Sequence, residues 1–133
     1  MQYYGISDIG RKREENQDKI YLPEGNEEVK FFVLADGMGG AKAGSVASTT
    51  AVEYVKAYMK DNLDSIVMER ENIELFMRKT MIKANNYVYE KSKSSREYTG
   101  MGTTLIAVIV YKGKVCIGHI GDSRVYRIRK KYH

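Results

Sequence analysis

Apolar positions along the chain follow a helical period in the middle and a strand-like pattern on either side. In AKAGSVASTTAVEYVKAYMK (41–60), Ala47, Ala51, Val55 and Tyr58 or Met59 recur at spacings of three and four, which predicts an amphipathic helix. Ile73, Phe76 or Met77, Thr80, Ala84 and Val88 continue that period through ELFMRKTMIKANNYVYEKS (74–92) and predict a second helix. The polar stretch KSKSSREYTG (91–100) then reads as a loop. Upstream, the compact run KFFVLA (30–35) suits a strand covered on both faces, and shorter strands are predicted at 2–6 and 18–22, the latter followed by the turn residues PEGN. Downstream, TTLIAVIVY (103–111), a tight turn at Lys112-Gly113, KVCIGHIGD (114–122) and SRVYRIR (123–129) predict an antiparallel meander of three strands. Strands, two helices, then strands without β-α-β alternation indicate an α+β domain with helices packed on sheet. With no internal repeat and no linker, residues 1–133 read as one domain.

Composition narrows this picture. A chain of 133 residues, 43% hydrophobic and 29% charged, buries roughly two thirds of its unfolded surface. No apolar stretch approaches the ~20 residues that span a bilayer, and MQYYGISDIGRKR has no apolar signal core, so a cytoplasmic protein without a membrane segment is expected. The single cysteine, Cys116, sits in an apolar alternation and reads as a small core residue. The net charge is +5, and Arg127, Arg129, Lys130 and Lys131 crowd the last seven residues. Without them the chain is close to neutral and shows no recognisable binding motif, so no nucleic-acid partner is expected.

The chemistry centres on FFVLADGMGG (31–40), where Asp36 ends an apolar run and three glycines follow within four residues. A desolvated carboxylate there needs protonation, a basic partner or a metal ion. Gly37, Gly39 and Gly40 let a carbonyl turn toward a ligand and leave room for close approach; taken alone, Asp-Gly is also an ordinary turn pair. Asp122, at the end of KVCIGHIGD, and Asp18, after RKREENQ, share the strand-end placement. Three such acids, with two histidines and one cysteine in the whole chain, would compose a hard-oxygen site suited to Mg²⁺ or Mn²⁺, although acids at strand ends are also ordinary. A G-x-S-x-G elbow and a G-x-x-x-x-G-K-[ST] phosphate loop are both lacking.

Four segments in order resemble the metal-dependent protein phosphatases of the PP2C-like (PPM) family, particularly its bacterial branch. They are SDIGRKREENQD, VLADGMGGAKAGSVAS, GMGTTLIAVIV and IGDSRVYRI. The resemblance implies an α-β-β-α sandwich of two antiparallel sheets flanked by helices. It assigns Asp36 to bridge two divalent ions, Mn²⁺ or Mg²⁺, the Gly37 carbonyl to one of them, Asp18 to its water shell and Asp122 to a possible third ion. Arg13 corresponds to the phosphate-binding arginine, a role suited to a guanidinium's paired hydrogen bonds. The implied reaction is hydrolysis of phosphoserine or phosphothreonine on proteins by a metal-activated water, opposing a serine/threonine kinase.

Three departures shape the expectation. Met38 stands where some members carry a histidine proposed to protonate the leaving alkoxide, and Gln17 replaces a glutamate found in some relatives. Two later metal aspartates of the family, in Asp-Gly and Asp-Asn motifs, have no counterpart here, so the chain is expected to be the N-terminal part of a catalytic domain, incomplete at its C-terminus. The alternative is a catalytically inactive module that binds phosphoproteins or a partner.

Overall fold

The computed structural model describes residues 6, 17–23, 28–40, 42–121 and 125–126. The elements are β1 (Asp18–Tyr21), β2 (Lys30–Met38), α1 (Ala43–Asp61), α2 (Leu63–Val67), α3 (Ile73–Ser92), a 3₁₀ turn (Arg96–Tyr98), β3 (Gly102–Thr103), β4 (Leu105–Tyr111) and β5 (Lys114–Ile120). The strands form one antiparallel sheet in the order β1-β2-β4-β5, with β3 pairing the end of β2.

Side-chain alternation along β2 and β4 divides the sheet into two faces. Phe31, Val33 and Ala35, with Leu105, Ala107 and Ile109, are buried beneath the helices. Onto them α1 lays Ala47, Ala51, Val55 and Met59, and α3 lays Phe76, Met77, Thr80, Ala84 and Val88. These are the positions that the three-and-four spacing marks. Thr80, polar and fully buried, satisfies its hydroxyl by donating 2.8 Å to the Phe76 carbonyl. The opposite face carries Ile20, Phe32, Leu34, Ile106, Val108, Val115 and Ile117 in register. Among the described residues no helix covers it, and Val115 and Ile117 remain 60% and 48% exposed. An apolar face of this kind suits the second sheet of a sandwich.

Local chemistry explains two of the boundaries. α3 starts where Asn72 caps it, its side-chain oxygen accepting from the N–H groups of Glu74 (2.8 Å) and Leu75 (3.3 Å). β4 turns into β5 through Lys112 and Gly113, both at positive φ (49° and 74°), the backbone of a two-residue type I′ hairpin. Cys116 is half-buried against the core, and that burial pushes its thiol pKa up.

The strand expected to stop at 35 instead runs through Asp36 and Gly37 to Met38. Pairing with β1 on one side and β3 on the other supplies ladder hydrogen bonds past the apolar run. α2, only five residues long, has no counterpart in the sequence reading. The strand expected at 2–6 and the last meander strand at 123–129 lie outside the described residues, apart from Ile6, Val125 and Tyr126, which are not in strands.

Candidate metal site

One row of residues crosses the sheet at the end of β2. Asp18 on β1 pairs directly with Asp36 on β2. Leu34 opposite Ile106 and Gly37 opposite Thr103 are in the same register, which places Thr104 across from Asp36 on the other side. Leu105 opposite Ile120 sets Gly121 beside Thr104. Residues facing each other across a ladder share a face, so the two carboxylates emerge together on the face away from the helices, both half-buried.

That pairing makes a distinct electrostatic situation. Directly opposed residues hold their Cβ atoms about 4.5–5.5 Å apart, and like charges there are destabilising. A divalent cation reverses the sign of the interaction, and carboxylate and carbonyl oxygens are the donors that Mg²⁺ and Mn²⁺ prefer. The donor set therefore fits such an ion. Asp18 and Asp36 are a pair rather than a full cage: among the described residues no group of three or more His, Cys, Asp or Glu side chains converges.

Asp36 is held through its main chain. Its N–H donates to the Thr104 hydroxyl at 3.1 Å, and its carbonyl accepts from the Thr104 N–H at 2.9 Å. The hydroxyl thus stands in for the carbonyl that an ordinary ladder would present. Thr104 is 3% exposed, and its methyl lies where a Cβ on Gly121 (φ +97°) would stand, 2.7 Å away.

Gly37 is a place of close approach. Its N–H donates to the Gln17 carbonyl at 3.0 Å, and a Cβ there would overlap the backbone carbonyl of Gly44 in the first turn of α1. Only glycine lets the sheet and the helix start come this close. The Gln17 side chain donates from Nε2 to the Gly39 carbonyl at 3.4 Å and rests on Gly44.

Of the residues singled out in the sequence, Asp18, Asp36 and Gly37 are brought together, whereas Arg13 and Asp122 lie outside the described residues. Met38 is 55% exposed at the end of β2, and its thioether has no proton to give. Sequence reasoning gave no part to Thr104, because periodicity does not reveal which side chain faces Asp36 across a ladder. It treated Gln17 as a substituted glutamate, with no signal that it contacts Gly44 twenty-seven positions later.

Comparison with known proteins gives the same assignment from three directions. The protein phosphatase 2C family model matches residues 9–133. Serine/threonine phosphatase stp of Listeria monocytogenes is 36% identical over 123 residues, covering 92% of this chain and 48% of the relative. Protein phosphatase PhpP of Streptococcus pneumoniae is 32% identical over 130 residues, covering 96% and 51%. Among solved structures, the S. agalactiae serine/threonine phosphatase aligns with a TM-score of 0.72 at 36% identity, over 90% of this chain and 48% of that one. The Mycobacterium tuberculosis phosphatase PstP/Ppp aligns with a TM-score of 0.72 at 29% identity, over 90% and 46%. The chain spans about half the length of the curated relatives it matches. Mixed helices and antiparallel sheet, the paired aspartates at the strand end and these matches agree: the chain belongs to the protein phosphatase 2C family.

Proposed function

We propose that this chain carries the Asp18–Asp36 half of a metal-dependent protein serine/threonine phosphatase centre, which in the complete domain hydrolyses phosphoserine and phosphothreonine on protein substrates. The observation that carries the reading is the direct cross-strand pairing of Asp18 with Asp36 beside a glycine-only contact at Gly37. The names of the relatives, serine/threonine phosphatases from Listeria and Mycobacterium, support the reaction class.

In this reading Asp36 would be the shared ligand of two divalent ions, the Gly37 carbonyl would contribute to holding one of them and Asp18 would order water around it. Asp122 serves a third ion, and Arg13 holds the phosphoryl oxygens through paired hydrogen bonds. Bound Mg²⁺ or Mn²⁺ supplies an activated water and offsets charge on the phosphoryl group. Thr104 would hold the Asp36 backbone in place through its two hydrogen bonds. The leaving-group proton does not come from Met38. The substrates are phosphoproteins, opposite a serine/threonine kinase.

The test is Mn²⁺ titration by calorimetry together with hydrolysis of a phosphothreonine peptide by the full translated reading frame. Asp36→Asn is expected to lower Mn²⁺ affinity at least about tenfold and to abolish chelator-sensitive hydrolysis. Mn²⁺ binding without hydrolysis would favour an inactive binding module. Equal Mn²⁺ affinity in wild type and Asp36→Asn would overturn the site.

A further inference from the structure

Gln17 directly precedes β1, and its contacts converge on the loop after Asp36. Its carbonyl accepts the Gly37 N–H at 3.0 Å, and its Nε2 donates to the Gly39 carbonyl at 3.4 Å. Its amide group also lies flat against Gly44: a Cβ at position 44 would stand 2.5 Å from Cδ, 2.6 Å from Nε2 and 2.7 Å from Oε1. The Gln17 amide therefore fills the space that a side chain at 44 would need. The Gly44 carbonyl in turn fills the space that one at 37 would need.

The segment so gripped is rich in glycine. Gly39 has a φ of +151°, and a glycine-rich loop has more backbone freedom to lose on ordering than any other sequence. α1 begins without a side-chain cap, and its first turn meets the preceding loop through a main-chain bond from the Ala43 N–H to the Gly40 carbonyl at 3.0 Å. Gln17, immediately before β1, adds a side-chain tie between the loop and that turn.

We propose that Gln17 is a positioning residue: seated between Gly39 and Gly44, its amide locks the glycine loop to the first turn of α1 and so holds the Gly37 carbonyl and Asp36 in the geometry that binds a divalent cation. This rests on the metal reading given above. The role needs an amide, because the group facing the Gly39 carbonyl must donate, and an ionised glutamate only accepts.

Three variants test it: Gln17→Ala, Gln17→Glu and Gly44→Ala. The last forces the Gln17 amide from its seat while replacing a helical glycine by alanine, a change that favours the helix itself. Mn²⁺ affinity by calorimetry is expected to fall about tenfold in all three. Amide hydrogen exchange across 37–44 in metal-free protein is expected to quicken about threefold to tenfold. Gly44→Ala is expected to keep its thermal midpoint, separating loss of position from loss of fold. The proposal is overturned if Gln17→Glu binds Mn²⁺ as tightly as wild type, since the side chain would then serve the ion directly. It is also overturned if Gln17→Ala and Gly44→Ala leave affinity and exchange unchanged. Should wild type bind no Mn²⁺, the metal reading fails and exchange alone decides: faster exchange in both variants supports the lock, and unchanged exchange refutes it.

Discussion

Replacing Thr104 by valine removes one oxygen and little else. The valine keeps the buried volume and the methyl packed toward Gly121, but the Asp36 N–H loses the hydroxyl that accepts it at 3.1 Å. A net hydrogen bond contributes about 1 kcal/mol, and a buried donor left without an acceptor costs about 1–3 kcal/mol. Asp36 is half-buried, so water recovers part of that loss, and about 1–2 kcal/mol is expected overall. For a domain of this size the thermal midpoint should fall by about 4–8 °C. Thr104→Ser is the control, because it retains the acceptor and loses only the methyl, at a cost of about 1 kcal/mol. Urea unfolding measures stability, and hydrogen exchange at the Asp36 amide reports the bond itself. Protection at that amide should drop in the valine variant and persist in the serine variant. A valine variant with wild-type stability and a protected Asp36 amide would refute the assignment of the hydroxyl as acceptor.

Three other outcomes are expected. Gly37→Ala places a Cβ against the backbone carbonyls of Gly44 and Gln17, neither of which can rotate away, so β2 and α1 must separate. Stability should fall by about 3 kcal/mol, the upper range for overpacking, as read by the shift in urea midpoint at constant slope. Asn72→Ala removes the cap of α3 and should cost about 1 kcal/mol in the same assay. Burial raises the Cys116 pKa, so the folded state holds the thiol proton more tightly than the unfolded one. Stability from this group is therefore constant below the ordinary thiol range and declines as pH rises through it, and Cys116→Ser should flatten the alkaline limb of a pH–stability profile. Alkylation of Cys116 at mildly alkaline pH should accelerate on adding urea.

The two long helices and the central strands were legible from the order of residues because each buries one side against a common core. An apolar spacing of three and four marks Ala47, Ala51 and Val55 or Phe76, Thr80 and Ala84 as a single stripe. The Lys112-Gly113 turn was legible for a local reason, since its positive φ values favour glycine. Asp18, Asp36 and Gly37 could be singled out individually, as acids and a glycine at strand ends, and the family motifs joined them. Pairing is a different kind of fact. That Asp18 faces Asp36, that β2 continues through the aspartate to Met38, and that Thr104 turns its hydroxyl to the Asp36 N–H follow from strand register, which sums contacts along three strands. The contact of Gln17 with Gly44 likewise depends on how closely α1 approaches the sheet. Sequence by itself determined which residues could bury and which were candidates to bind an ion, because those are properties of single side chains and their local period. Only the tertiary structure decided which of them meet, because register and helix-to-sheet distance are set by the packing of the whole layer.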